Sequence, residues 1–211
     1  MKRRFIFDLD GTLLISDFSK EKEYFKSILD EESANIFIPR IYELLLKYEN
    51  IYKKYDVDEL SCFLKKETNI EITPKMICEW IDINSESNDV VLDETIDMLE
   101  YLKKRRYSLV VLTNWFRKTQ VLRLKNKNLL DYFDYIYAGD LCVKPNIQSY
   151  INAVGRFKVN ECVMIGDNLK NDVLKPQSIG IDSIFYNPNN ESYNKKLVKT
   201  IDSFERIKEI Y

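Results

Sequence analysis

Asp8 and Asp10 stand two residues apart in FIFDLDGTLL, at the end of the apolar run Phe5–Phe7. Burying an unpaired carboxylate is costly, so two of them at the end of an apolar strand call for a counter-charge close by. A second acidic pair, Asp167 and Asp172, lies in IGDNLKND, Lys144 lies in CVKPN, and Thr113 with Asn114 closes VVLTN. Each of these has an ordinary explanation when taken alone. Asp-x-Asp can be a turn or a helix cap, Lys144 a solvated loop lysine, and Thr113–Asn114 or Asp172 the N-cap of a following helix. Histidine is absent from all 211 residues, which excludes histidine triads, phosphorelays and His-ligated metals. Any acid–base work therefore falls to carboxylate, lysine, tyrosine or cysteine.

The elements that must position these residues alternate. Apolar runs at 4–9, 107–113, 135–139, 161–166 and 182–186 read as five strands, most of them continuous, as strands buried on both faces are. Between them lie helical patterns. DETIDMLEYLKKRR has Asp93 as expected N-cap, PNIQSYINAVGRF has Pro145 in its first turn, and NDVLKPQSIG ends at Gly180. The tail DSFERIKEIY reads as a last surface helix. This alternation predicts an α/β fold, a doubly wound, Rossmann-like and mostly parallel core sheet of five strands. Ligands of such sheets bind beyond the carboxyl ends of the strands, where every residue singled out above falls. Residues 16–88 break the rhythm with helical patterns alone, including IPRIYELLLKYENIYKKY, DVDELSCFLKKE and TPKMICEWIDI, the last with Thr73 as N-cap and Pro74 at its first position. They are expected to form an all-helical cap inserted into a core made of residues 1–15 and 89–211, with Trp80 and the tyrosines as its interior.

Composition bounds the function classes. A net charge of −2, from 32 basic and 34 acidic residues, offers no electrostatic footprint for nucleic acid or a membrane surface. No apolar run approaches the roughly 20 residues of a membrane span. The four cysteines form no CxxC pair, which disfavours a zinc site or a disulfide framework and fits reduced thiols in a cytoplasmic protein.

Taken together and in order, the four motifs resemble those of the haloacid dehalogenase (HAD) superfamily, in the branch with a helical cap after the first motif. FDLDGTLL is similar to its first motif, LTN to the second, Lys144 in VKP to the third, and IGDNLKND to the fourth. The resemblance implies a phosphatase acting on a small phosphorylated metabolite, phosphoglycolate-phosphatase-like or nucleotidase-like, through an aspartyl-phosphate. It implies Asp8 as nucleophile and Asp10 as the acid and base that protonates the leaving oxygen and then activates water. It implies a magnesium (Mg2+) site made by Asp8, Asp167 and the backbone carbonyl of Asp10. Lys144, Thr113 and the Asn114 backbone would bind the phosphate, and Asp172 would hold Lys144 or a metal-bound water. Dehalogenases of the superfamily lack the second aspartate, so Asp10 argues against carbon–halogen chemistry. A sugar phosphomutase uses the same two aspartates and remains an alternative, as does a catalytically weak binding or regulatory module. A phosphonate hydrolase would need a Schiff-base lysine from the cap, and Lys22, Lys26, Lys47, Lys53 and Lys54 are undistinguished candidates. Lys175 and Pro176 depart from the small residues common in the family, which questions the local helix packing.

Overall fold

A computed structural model describes residues 2–190, 192 and 198–211. The first strand, β1 (Arg4–Phe7), is buried on both faces and lies at the centre of the sheet. The chain then leaves the sheet for α1 (Ser19–Ile28), α2 (Glu31–Phe37), α3 (Ile41–Tyr52), α4 (Val57–Thr68) and α5 (Pro74–Ser85). It returns through α6 (Asp93–Lys104), β2 (Ser108–Leu112), α7 (Arg117–Asn126), β3 (Tyr135–Tyr137), α8 (Ile147–Val154) and β4 (Cys162–Gly166). A π-helical segment, Leu169–Leu174, and α9 (Lys175–Gln177) lead to β5 (Asp182–Tyr186), β6 (Lys199–Ile201) and the short α10 (Ile207–Ile210).

All strand pairings are parallel, in the order β3-β2-β1-β4-β5-β6. The doubly wound sheet is thus as expected, with a sixth strand at its edge. That strand is Lys199–Ile201, KTI, three residues whose only signal is β-branching, too little to set it apart from a loop. Successive β1 side chains serve opposite layers. Phe5 and Phe7 pack with Met98, Leu99 and Leu102 of α6, and Ile6 packs with Tyr150, Ala153 and Val154 of α8. The period of two in a strand makes one short run the seam between two cores.

Helices α1–α5 bury a third cluster around Phe25, Phe37, Tyr48, Phe63 and Trp80, which extends onto Phe116 and Val143 at the strand ends. Trp80, Tyr48 and Tyr55 are interior, in line with expectation, whereas Tyr42 is exposed. The two connections to this helical insertion run side by side. Ile15 and Val90 exchange both backbone hydrogen bonds, at 2.9 and 3.0 Å.

Four local expectations are corrected. Asp93 is the first residue of α6 and Leu92 its N-cap, with no side-chain cap at all. Helix α8 starts at Ile147 behind Asn146, whose side chain accepts from Gln148 N, so Pro145 precedes the helix and takes no part in its first turn. The N-cap of the π-helical segment is Asn168, which leaves Asp172 inside it and free for other contacts. Helix α7 is preceded by Phe116, not by Thr113 or Asn114. The doubt raised by Lys175 and Pro176 is answered by wide π-type turns that tighten to an α-helical turn only at Lys175, where Pro176 needs no N–H partner.

Candidate functional site

Strand order reverses around β1, and at this switch point the chain opens a crevice beyond the strand ends. Asp8 follows β1 and donates its backbone N–H to Ile165 O of β4 at 2.9 Å, which sets it beside the Gly166–Asp167 turn. Asp8, Asp167 and Asp172 each offer a carboxylate oxygen within 4.8 Å of the others. Lys144 Nζ reaches into this group and donates to Asp8 Oδ1 and Asp172 Oδ1, both at 2.7 Å. Lys144 is itself buried. Burial opposes its ammonium, but the Asp172 and Asp8 carboxylates outweigh that and hold its pKa above the ordinary lysine range. Burial, and then the charge on Asp8, push the Asp167 carboxyl well above the usual carboxylate range. One ammonium is too little positive charge for three clustered carboxylates, two of them buried.

Such a site asks for a cation. Its donors are carboxylate oxygens, hard ligands suited to magnesium, with neither thiolate nor imidazole. Asp172 is engaged at both oxygens, by Lys144 and by the Asn168 N–H at 3.1 Å. Asp8 and Asp167 are the carboxylates left to face an ion.

Two glycines make the approach possible. Gly11 sits at φ +77°, and a Cβ there would lie 2.3 Å from Asp167 Oδ2. A Cβ on Gly166 would lie 2.4 Å from Asp172 Oδ2. Thr12 next to Gly11 donates to Asp167 Oδ1 and accepts from the Asp167 N–H, both at 3.1 Å. Gly11→Ala is therefore expected to cost about 1–3 kcal/mol through the left-handed backbone alone. It should also weaken magnesium binding by displacing Asp167. Thermal melts with and without magnesium check both effects, and an unchanged magnesium-induced shift would contradict the second.

The second-motif residues act differently from one another. Asn114 spends its side chain on the backbone of Lys144, donating to Lys144 O at 3.2 Å and accepting from Lys144 N at 2.8 Å. This exchange fixes the loop of the cis Lys144–Pro145 peptide. Thr113 Oγ1 donates to Asn114 O at 3.2 Å and accepts from Gln120 Nε2 at 3.1 Å.

Asp10 turns away from the carboxylate cluster. Its Oδ1 accepts from Ser16 Oγ at 2.6 Å and pairs with Arg123 Nη1 at 2.7 Å. Arg123 is buried, and its fork also binds Asp89 at both oxygens, each at 2.8 Å. Sequence reasoning missed Arg123, Gln120 and Asp89. The signal was available in RKTQVLRLKN, whose apolar residues form no single stripe although the helix packs against the core, so its inner face has to be polar.

A cavity of about 1240 Å³ opens over this edge. The sheet side contributes Asp8, Asp10, Thr113, Asn114, Lys144 and Asp167, and the helical insertion contributes Glu21, Glu49, Tyr42 and Tyr55. Trp80 Nε1 and Asn84 Nδ2 donate to Glu21 Oε2 at 2.6 and 3.1 Å, and Tyr55 OH donates to Glu49 Oε1 at 2.8 Å. Burial raises the pKa of both glutamates. Of the residues expected from the sequence, Asp8, Asp10, Thr113, Asn114, Lys144 and Asp167 line one cavity, and Asp172 lies buried behind it against Lys144.

A family model described as haloacid dehalogenase-like hydrolase matches residues 2–180. The pyrimidine 5'-nucleotidase PynA of Streptococcus pneumoniae is 26% identical over 196 residues, 87% of this chain and 83% of its own. The pyrophosphatase PpaX of Bacillus cereus is 26% identical over 190 residues, 83% of this chain and 78% of its own. Among solved structures, YfnB of Bacillus subtilis, bound to magnesium, superposes with a TM-score of 0.68 at 22% identity, covering 99% of this chain and 98% of that one.

Proposed function

Because the chain belongs to the haloacid dehalogenase-like hydrolases, we propose that it is a phosphatase that hydrolyses a small phosphorylated metabolite through an aspartyl-phosphate on Asp8. The observation that carries this reading is the Asp8–Lys144–Asp167 cluster in the wall of the cavity, with Asp10 lining the same space. A carboxylate is already ionised at neutral pH, so Asp8 attacks phosphorus without an activating base. Lys144 supplies a fixed charge to the nucleophile and to the incoming phosphate, and Thr113 with the Asn114 N–H binds phosphate oxygens. Asp10 passes its proton to the leaving oxygen and then takes one from water. A magnesium ion held by Asp8, Asp167 and the Asp10 carbonyl would screen the repulsion between the Asp8 carboxylate and the phosphate dianion.

The helical insertion acts as a cap, and residues 16–88 bound it. A cavity of about 1240 Å³ suits a nucleotide-sized ester better than phosphoglycolate or pyrophosphate. Glu21 and Glu49 from the insertion line this space as acceptors, which suits a donor-rich group such as a base or a polyol. PynA and PpaX, by their names, act on phosphate esters and anhydrides, which agrees with the reaction class. No helix among the described residues is long and apolar enough to cross a membrane. The four cysteines are free thiols, and we place the protein in the cytoplasm on that ground.

The test is a panel of nucleoside monophosphates, sugar phosphates, phosphoglycolate and pyrophosphate, assayed for phosphate release with magnesium and after chelation. Magnesium-dependent release, fastest with nucleoside monophosphates, is expected. Isomerisation that needs a bisphosphate activator would point to the mutase instead. Turnover no higher than that of an Asp8→Asn control on every ester would leave a binding module.

A further inference from the structure

We propose that Arg123 is a positioning residue for Asp10, fixing the carboxylate that carries the proton and tying it to both connections of the helical insertion. The proposal rests on the reading of Asp10 as the acid and base. Arg123 lies one turn beyond Gln120 on α7, and the two side chains flank the Asp10 carboxylate. Arg123 Nη1 stands 2.7 Å from Oδ1, where Ser16 Oγ also donates, and Gln120 Nε2 lies 3.4 Å from Oδ2. Oδ1 is taken by two close donors, and Oδ2 meets only the longer Gln120 contact, so Oδ2 is the oxygen left for the exchange with a leaving group. As the bond from Asp8 to phosphorus forms, the bond from phosphorus to the leaving oxygen breaks, and that oxygen takes the Oδ2 proton. Arg123 stays protonated throughout.

The guanidinium is itself over-determined. Nε and Nη2 bind the two oxygens of the buried Asp89, Nη1 donates to Gln120 Oε1 at 2.9 Å, and Nη2 donates to Ser16 Oγ at 2.8 Å. Ser16 follows Ile15 and Asp89 precedes Val90, the two residues that pair the connections to the insertion. One planar side chain thus sets the proton carrier and the insertion's attachment in a single geometry. Lysine carries the same charge but has no fork to hold Asp89 and Asp10 together.

The test compares phenyl phosphate with 4-nitrophenyl phosphate, which are close in size but differ in how much their leaving oxygen needs a proton. The full chain is assayed with magnesium in single turnovers that follow release of the phenol. In Asp10→Asn the ratio of the 4-nitrophenyl to the phenyl rate is expected to rise by about 100-fold or more. In Arg123→Lys it is expected to rise by about tenfold, with KM for phenyl phosphate changed less than kcat. Should Arg123→Lys not fold, the pair Arg123→Gln with Asp89→Asn removes opposite buried charges together and is held to the same ratio. An Asp10→Asn ratio that rises beside an unchanged Arg123 ratio overturns the role of Arg123 and spares the proposed function. An unchanged ratio in Asp10→Asn overturns the role of Asp10, and this inference with it.

Discussion

Asp8→Asn is expected to lower turnover by at least about ten-thousandfold, as loss of a covalent nucleophile does, without destabilising the protein. The asparagine amide keeps an oxygen that can accept from Lys144 but cannot attack phosphorus. Removing the Asp8 charge also removes a repulsion from Asp167, which that charge pushes toward the protonated form. In chelator the variant should therefore melt at or above the wild-type temperature, a case of stability given up for chemistry. Acid quench with labelled substrate should trap a phosphoenzyme in the wild type and none in Asp8→Asn. A labelled Asp8→Asn protein, or residual turnover above a few per cent, would move the nucleophile elsewhere.

Lys144→Met carries the second large effect, and here stability and activity fall together. Methionine fills a similar length but leaves Asp8, Asp167 and Asp172 facing one another without the ammonium that lies 2.7 Å from two of them. Breaking a buried ion pair from one side costs about 3–5 kcal/mol. The raised pKa of Lys144 means its contribution is fully present below the ordinary lysine pKa and is lost only in strong alkali, so the deficit is complete at neutral pH. Magnesium should restore part of it, because a cation substitutes for the missing charge. Turnover should fall by about 100- to 1000-fold, as for loss of a preorganised charge at a developing anion. The double change Lys144→Met with Asp172→Asn separates the two effects: urea titration should show stability partly recovered, with activity still lost. Recovery of activity in the double variant would show that Lys144 serves the fold alone.

Much of this was legible because the central motifs are contiguous. FIFDLDG carries strand, switch point and two carboxylates in seven residues, and IGDNLKND carries the second acidic pair directly after β4. Pairings that depend on tertiary approach were not. Nothing in the spacing of Asp10, Asp89 and Arg123 shows that they meet, since they lie on a turn, a connection and a helix separated by long stretches of chain. Asp172 could be read as a helix cap because Asp commonly is one, and only the π-helical turns around it turn its carboxylate onto Lys144. The sixth strand escaped notice because its three residues gain their partner from β5 and not from any pattern of their own.

The central place of β1 has a consequence for how the chain is made. Arg4 pairs with Ser108 on one side and Cys162 on the other. On a ribosome, roughly 5–20 s of synthesis separate this apolar strand from its nearer neighbour. During that interval both of its edges are open, and Phe5, Ile6 and Phe7 have no sheet to join. Helices α1–α5 emerge in the meantime and can bring Phe25, Phe37 and Trp80 together without waiting for the sheet. The insertion can thus bury part of its apolar surface before β2 exists, while Phe116 and Val143 complete its core later and the site it covers is among the last to be assembled.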